Sequence, residues 1–184
     1  MEQTNKLFCF GLDNAGKTTL LNCMQGKEVC ENPTPTRAFD VIDMVIEDIE
    51  FIIWDAPGQV RYRKTWEKGL IKTDILLFLI DTADKIRYQE SNLELNAILR
   101  KHDVQNVPLV ICFHKFDLKE AQNNLNDAIE AFHLSLIRKR ELYWLKTSVY
   151  QNDTVENLKF ILYNLLVIKE AKNNLIEFQD LSNI

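Results

Sequence analysis

The sequence predicts an α/β fold in which a doubly wound, six-stranded, mostly parallel sheet has one antiparallel edge strand and helices on both faces. Six short apolar runs rich in strand-forming residues recur along the 184 residues, and most are continuous, as in strands buried on both faces of a parallel sheet. Segments with the i, i+3, i+4 apolar spacing of one-sided helices separate most of these runs, giving the order β-α-β-β-α-β-α-β-α-β-α. The predicted strands are residues 6–10, 39–46, 50–54, 75–81, 107–113 and 142–147, and the predicted helices are residues 18–25, 88–101, 125–136 and 155–168.

The second run is predicted to be the edge strand, because polar and apolar side chains share one of its faces. Val41 and Val45 alternate there with Asp43 and Glu47, a mixture that suits a strand with one face partly in water. Only residues 47–49 separate this run from the third. A gap of that length permits an antiparallel hairpin and forbids a helical crossover.

Length and composition indicate one domain over residues 1–184, in which residues 170–184 form a C-terminal helical extension or tail. Hydrophobic residues make up 46% of the chain and charged residues 27%, which is the ordinary globular range. The formal charge of −5 argues against nucleic acid as a partner, because nucleic-acid binding requires a basic surface.

Cysteine usage and the chain termini favour a cytoplasmic protein. None of the four cysteines stands in a C-x-x-C pair or has metal-site spacing, so we expect free thiols in a reducing compartment. No run approaches the ~18 apolar residues of a membrane span, Glu2 excludes N-myristoylation, and the last four residues are no prenylation signal. We expect a monomer without a lipid anchor of its own, which reaches membranes only through partners.

The strongest functional signal is the P-loop motif G-x-x-x-x-G-K-[ST], which residues 11–18 match between the first predicted strand and helix. Glycines let the backbone turn around an anion, and successive N–H groups form a nest for the β-phosphate at the positive end of the helix. Lys17 is expected to place its ammonium group between the β- and γ-phosphates, and Thr18 to ligate Mg²⁺. The predicted fold is therefore that of a P-loop NTPase. Its predicted phosphate-binding residues are Asp13, Asn14, Ala15, Gly16, Lys17, Thr18 and Thr19.

A second signal, D-x-x-G-Q, follows the third predicted strand. Asp55 at a strand end beside a P-loop can hold Mg²⁺ directly or through water. The bare N–H of Gly58 can meet a γ-phosphate, and Gln59 can orient an attacking water. Taken alone, D-x-x-G is equally explained by a plain β-turn; the P-loop and the strand order favour the functional interpretation.

These motifs resemble those of the Ras-like small GTPases, most of all the Arf/Arl branch, over about residues 6–169. The P-loop sequence GLDNAGKTT is very close to that of the branch, the D-x-x-G-Q segment resembles its switch II, and Pro35-Thr36 followed by Phe39 resembles its switch I. The resemblance implies that Thr36 ligates Mg²⁺ in the triphosphate state only. It also implies that the hairpin at residues 39–54 slides between nucleotide states.

The resemblance further implies a catalytic set of Lys17, Gly58 and Gln59, in which Gly58 senses the γ-phosphate and Gln59 positions the water. Three arginines flank the switches. One of them could act as an arginine finger in cis, whereas solvated or partner-contacting charges are the more ordinary interpretation. These arginines are Arg37, Arg61 and Arg63.

A third signal follows the fifth predicted strand, where Ras-like proteins usually have N-K-x-D and this chain has His114-Lys115-Phe116-Asp117. The resemblance implies that the Asp117 carboxylate accepts from guanine N1–H and the 2-amino group, donors that adenine lacks. It implies that the Lys115 stem packs over the base. His114 replaces the usual Asn and retains a donor for guanine N7; the alternative is an isolated surface histidine.

Residues 147–149, Thr-Ser-Val, occupy the place of the S-A-K-type loop of the family. From the resemblance we expect the Ser148 backbone N–H to meet guanine O6. The nucleotide-binding residues predicted outside the P-loop are therefore Thr36, Gly58, His114, Lys115, Asp117, Ser148 and Val149, and the predicted metal ligands are Thr18, Thr36 and Asp55.

Two further departures from the family bear on function. Pro57 replaces a small residue of switch II, and its ring stiffens the backbone and pushes Ala56 toward an extended conformation. Gly69 stands where Arf proteins have an aromatic residue of their effector surface, although Phe39 and Trp54, which resemble the other two members, remain. Effector identity therefore does not carry over.

The resemblance implies a switch that hydrolyses GTP slowly with the help of a GTPase-activating protein, and that has a guanine nucleotide exchange factor and effectors as further partners. Two other functions stay open. A pseudo-GTPase scaffold would hold GTP or GDP permanently, and His114 and Pro57 motivate it. A P-loop nucleotide or metabolite kinase would leave the D-x-x-G-Q segment unexplained, and the sequence shows no lid or acceptor site for it.

Overall fold

The computed structural model describes residues 5–30 and 33–181, with side chains up to residue 172. Six strands form one sheet in the order β2-β3-β1-β4-β5-β6. Only the β2–β3 pair is antiparallel, while the other four pairs are parallel, which confirms the predicted fold class. The strands are β1 Asn5–Phe10, β2 Asp40–Ile46, β3 Ile49–Asp55, β4 Ile75–Asp81, β5 Leu109–His114 and β6 Leu142–Lys146, each within two residues of its predicted bounds.

Helices cover both faces of the sheet, and three of the predicted helical segments differ from the structure. The segment between β3 and β4 forms two single turns instead of one helix, and the fifth helix begins at Lys119 rather than at residue 125. Residues 119–124 carry one buried side chain, Ala121, so no apolar stripe marks this first part. The helix ends at Ala131, because His133 takes a left-handed φ of 45°. The helices are α1 Lys17–Met24, α2 Val60–Arg63, α3 Trp66–Gly69, α4 Tyr88–Leu99, α5 Lys119–Ala131 and α6 Asn152–Leu181.

The last helix, α6, continues well past the predicted end at residue 168 and reaches Leu181. It therefore includes most of the segment expected as a helical extension or tail, of which residues 182–184 lie outside the described residues. Lys169 near its middle pairs with Asp74 at 2.6 Å. Within the described part of the chain, no helix combines the length and apolar character needed to cross a membrane.

Two apolar layers form the core, one on each face of the sheet. Because side chains alternate along a strand, Leu7 and Cys9 of β1 pack against α1 and α6, while Phe8 and Phe10 pack against α4 and α5. Cys9 and Cys112 are fully buried free thiols, as the apolar runs around them predict, and burial raises the pKa of Cys112 to about 12.

The edge position predicted for the second strand is confirmed. Val41 and Val45 of β2 are 51% and 63% exposed, whereas Met44 and Ile46 on its other face are buried. At the centre of the sheet, β1 lies between β3 and β4, where the strand order reverses direction. Ligands of open α/β sheets bind at the carboxyl ends of the strands beside such a reversal, which directs attention to the loop after β1.

Candidate nucleotide-binding site

A cavity of about 400 Å³ opens at the carboxyl ends of the strands, within the size range of small-molecule sites. Segments that follow β1, β3, β5 and β6 converge on it, together with the connection between α1 and β2. Its lining residues are Asp13, Asn14, Gly16, Lys17, Thr18, Thr19, Val29, Cys30, Pro33, Thr34, Pro35, Thr36, Gly58, Gln59, His114, Lys115, Asp117, Leu118, Val149 and Tyr150.

The P-loop wraps around the ammonium group of its own lysine. Lys17 is 6% exposed, and its Nζ donates to the carbonyl oxygens of Gly11 at 3.0 Å and Leu12 at 2.8 Å. Burial lowers the pKa of Lys17, while Asp55 opposes that effect. A buried cation at the start of α1, beside the free N–H groups of the first helical turn, is an anion site.

Gly16, which precedes α1, is the point where the P-loop touches His114. Residues 114–117 and 147–149 are together named the base-reading loop, after their predicted role. Its φ of 90° favours glycine, and a Cβ there would lie 2.6 Å from Cδ2 and 2.8 Å from Nε2 of His114. No larger residue fits between the P-loop and this imidazole.

The three predicted metal ligands meet, although they come from three segments. The Thr18 hydroxyl oxygen lies 3.0 Å from that of Thr36 and donates to Oδ2 of Asp55. Asp55 is fully buried, its other oxygen, Oδ1, has no partner among the described residues, and burial raises its pKa. An unpartnered buried carboxylate oxygen beside two hydroxyls fits a hard cation such as Mg²⁺.

The segment after β3 packs directly on the P-loop. A Cβ on Gly58 would lie 2.4 Å from the backbone nitrogen of Asp13, so only glycine permits this approach. Gln59 turns its Oε1 to Arg61, which donates from Nε at 3.2 Å and from Nη2 at 2.9 Å. The carbonyl of Pro57 accepts from Nε1 of the buried Trp66 at 2.8 Å, so the unusual proline is fixed in place.

The three arginines near the switches have different environments. Arg37 is exposed, and Arg61 contacts Gln59 as described. Arg63 is buried and does not line the cavity; it donates to the Gly58 carbonyl and to carboxylates. In this arrangement Arg63 is engaged elsewhere and is not an arginine finger.

The base-reading loop is ordered by its own side chains. His114 is 2% exposed, so the alternative of an isolated surface histidine is wrong. Its Nδ1 lies 2.8 Å from the Thr147 hydroxyl, and burial, with Lys115 as a smaller contributor, lowers its pKa to about 4. The imidazole is therefore neutral near pH 7. Asp117 Oδ1 accepts from the Ser148 hydroxyl at 2.5 Å, and Lys115 Nζ donates to Asp81 at 2.7 Å.

One predicted contact competes with a hydrogen bond inside the protein. The Ser148 N–H, predicted to meet guanine O6, donates to the Thr154 hydroxyl at 3.0 Å. Val149, the next residue, lines the cavity and carries the backbone N–H that can take this part. Ala15 also stays off the cavity wall, because its side chain lies in the core.

Sequence reasoning missed several lining residues. Val29, Cys30, Pro33 and Thr34 lie in the connection between α1 and β2, ahead of Pro35-Thr36, and belong to no motif from which their position could be inferred. Tyr150 follows the base-reading loop and is 65% exposed; its position one residue after Val149 was the available signal.

Comparison with known proteins agrees with this geometry. The family model described as the ADP-ribosylation factor family matches residues 1–165. ADP-ribosylation factor-like protein 3 of Caenorhabditis elegans is 32% identical over 162 residues, which are 87% of each chain. The Arl6 BBS3 small GTPase of Trypanosoma brucei, solved with the bound nucleotide analogue GppNp, superposes with a TM-score of 0.77 at 23% identity over 89% of this chain and 98% of that one, a likeness of fold. The family match over most of the chain, together with the worm relative, shows that the chain belongs to the ADP-ribosylation factor family of small GTPases, which bind guanine nucleotides.

Proposed function

We propose that this protein is a molecular switch that hydrolyses GTP to GDP with Mg²⁺ and recruits effectors through the segments that change with the γ-phosphate. Those segments are residues 33–36, residues 57–63 and the β2–β3 hairpin. The observation that carries the proposal is the meeting of Thr18, Thr36 and Asp55 while Gly58 packs on the P-loop. Three chain segments thus converge beside Lys17, where the last two phosphates of a nucleotide lie in P-loop proteins.

The residues of the chain divide the chemistry among them. Thr18, Thr36 and Asp55 would hold Mg²⁺, which when bound neutralises charge on the β- and γ-phosphate oxygens. Lys17 stabilises the negative charge that moves toward the leaving GDP, and Gln59 orients a water for in-line attack on the γ-phosphorus. As the water oxygen bonds to that phosphorus, the bond from the phosphorus to the bridging oxygen breaks. Inorganic phosphate, which takes up the protons of the water, then leaves. Thr36 then loses its contact with Mg²⁺ and Gly58 its contact with the γ-phosphate, which releases residues 33–36 and residues 57–63.

Guanine selectivity rests on the carboxylate of Asp117. The Ser148 hydroxyl bonds to Oδ1 and orients the group, so that its oxygens can accept from N1–H and the 2-amino group of guanine. The neutral His114, which lines the cavity between Gly16 and Thr147, is assigned to purine N7. The Val149 N–H is assigned to guanine O6.

We assign the protein the partners of a slow GTPase: an exchange factor, a GTPase-activating protein and effectors. We expect a slow rate because Oε1 of Gln59 is occupied by Arg61 and because the guanidinium of Arg63 is bonded elsewhere. A GTPase-activating protein would free the glutamine and supply positive charge. We further propose that the protein acts as a monomer in the cytoplasm and reaches membranes through these partners.

The direct test is single-turnover hydrolysis of bound GTP, followed over hours with excess Mg²⁺. We expect a slow rate, on the order of 10⁻⁴ s⁻¹ as in unassisted small GTPases, that falls in Gln59→Leu because a leucine cannot orient water. GTP that stays intact in the wild type to the same extent as in Gln59→Leu would contradict hydrolysis.

A second candidate, a scaffold that holds nucleotide without hydrolysing it, is favoured by the Arg61–Gln59 contact. Under this hypothesis the wild type hydrolyses nothing, and Arg61→Ala releases Gln59 and restores a measurable rate. If the wild type and Arg61→Ala hydrolyse GTP at equal rates, the hydrogen bonds between Arg61 and Gln59 do not prevent hydrolysis.

A further inference from the structure

Arg63, the last residue of α2, has a buried guanidinium with four partners, although it lies in a surface segment. Its side chain is 5% exposed, and Nε donates to the carbonyl oxygen of Gly58 at 2.7 Å. Nη1 donates to Glu90 at 2.6 Å and to Glu94 at 3.1 Å. Nη2 donates to Asp13 at 3.3 Å. We call these five residues the Arg63 cluster.

The Arg63 cluster joins three parts of the site that are separate in sequence. Gly58 belongs to the segment after β3, Asp13 to the P-loop, and Glu90 and Glu94 to α4. Arg is suited to this task because its planar fork presents five donors in fixed directions. Losing one partner of such a group leaves a buried charge short of hydrogen bonds, which is costly.

The far side of the cluster is anchored to the fold. Arg87 donates to the backbone carbonyl of Asp13 at 3.2 Å, lies 3.4 Å from its carboxylate, and pairs with Asp84 at 2.5 Å. Asp13 is thus held in the P-loop by Arg87, independently of Arg63. Loss of a hydrogen bond of Arg63 is therefore expected to move Gly58 or to break the ion pairs with Glu90 and Glu94, and to leave Asp13 in place.

The acidic pair of α4 is set apart from the nucleotide cavity. Glu90 and Glu94 stand four residues apart on one face of the helix, do not line the cavity, and are 39% and 31% exposed. They repel each other unless a cation lies between them, and Arg63 fills that position. The pair is accessible from the protein surface and is bonded to the segment that carries Gly58.

We propose that Arg63 is a positioning residue through which Glu90 and Glu94 of α4 raise the preference of the site for GTP over GDP. The inference rests on the proposed function. Arg63 holds Gly58 against Leu12 and Asp13, so the Gly58 N–H is already in position when a γ-phosphate arrives. GDP has no γ-phosphate and does not contact the Gly58 N–H. Loss of the hydrogen bonds of Arg63 therefore weakens the binding of GTP and leaves that of GDP unchanged.

The test compares dissociation constants of GDP and of the non-hydrolysable analogue GppNHp, measured by competition against fluorescent mant-GDP with excess Mg²⁺. In Glu90→Ala/Glu94→Ala we expect GppNHp to bind about tenfold more weakly while GDP binding changes less than about twofold. Arg63→Ala should lose at least as much, and Arg63→Lys should recover part of the loss, since an ammonium group replaces the charge but not the fork. The matched control is Glu120→Ala/Glu130→Ala, which removes two exposed acids from α5 and should change neither constant.

The readout separates positioning from general support of the fold. An unchanged ratio of the two constants in Glu90→Ala/Glu94→Ala, or equal weakening of both nucleotides, would overturn the inference even if Arg63→Ala fails to fold. Arg63→Ala combined with the α4 pair should lose no more than Arg63→Ala alone; additive losses would also contradict the coupling. A wild type that binds no guanine nucleotide would instead overturn the proposed function, and this inference with it.

Discussion

At the scale of single residues, the Asp117 carboxylate carries the base selectivity of the proposed site. In Asp117→Asn, the amide oxygen still accepts from N1–H, but the amide nitrogen faces the 2-amino group of guanine, donor against donor. Xanthine has an oxygen there, which that nitrogen can serve. We predict a loss of GDP affinity on the order of 10²-fold or more and a gain for xanthosine diphosphate, both measured by competition. Unchanged affinities for both nucleotides would remove Asp117 from base recognition.

The buried His114 predicts a specific pH dependence of stability. Burial lowers its pKa from 6.5 to about 4, so between these pH values the unfolded chain binds a proton that the folded chain resists. The free energy of unfolding should therefore fall as the pH falls through this window, by about 3 kcal/mol in total, with no His114 contribution above pH 6.5.

Urea unfolding at fixed GDP concentration, repeated between pH 7.5 and pH 4, measures this effect by comparison with His114→Asn. Asp55, whose pKa is raised by burial, acts in the opposite direction and is common to both proteins. We predict that the wild type loses stability more steeply than His114→Asn below pH 6.5. Parallel curves would mean that His114 is accessible to solvent protons in the folded protein.

At the scale of elements, the β2–β3 hairpin forms one edge of the sheet. β2 pairs on one side only, and Val41 and Val45 on its outer face contact no core layer. The central strands β4 and β5, in contrast, are buried along nearly all their length. Under the proposed function, exchange of GDP for GppNHp repositions the hairpin together with residues 33–36 and 57–63.

Hydrogen exchange read by mass spectrometry tests this proposal element by element. We predict that peptides covering the hairpin and both switch segments change protection when GDP is replaced by GppNHp, because their contacts depend on the γ-phosphate. Peptides covering β4 and β5 are the internal control and should not change. A uniform response over the whole chain, or none, would exclude a switch localised to these elements.

The elements also show how far sequence reasoning reaches. The strands were predictable because continuous apolar runs mark burial on both faces, and the P-loop because a fixed spacing of glycine, lysine and threonine serves one ligand. The start of α5 could not be predicted, because its first turns bury only Ala121 and therefore show no helical spacing of apolar residues. The Arg63 cluster could not be predicted either, because its members are distant in sequence and belong to no motif.

The base-reading loop lies between these two cases. Asp117 and its neighbours were recognisable from a short motif, and the structure lines the cavity with them. The hydrogen bond from the Ser148 N–H to Thr154 was hidden, because it joins the loop to the first turn of α6, and no local pattern tells which of two successive N–H groups turns inward. Side-chain contacts across the fold decide such details.

At the scale of the whole molecule, a parallel sheet gathers loops from β1, β3, β5 and β6 at one edge. The proposed phosphate-, metal- and base-binding groups, which are distant in sequence, are thereby brought together at one cavity, and the two core layers hold the strands that carry them. The fold thus explains how one nucleotide can contact the protein through both its phosphates and its base. Under the proposed role of Arg63, residues on α4 influence the site without touching the ligand.

The central claim is that this cavity binds a guanine nucleotide, and ligand identity tests it most directly. The purified full-length protein is denatured, the released ligand is identified by high-performance liquid chromatography, and refilled protein is titrated with GDP, GTP and ATP in the presence of Mg²⁺. The account predicts co-purified GDP or GTP that ATP does not displace. An empty cavity, or one that ATP fills as readily as GTP, would contradict it.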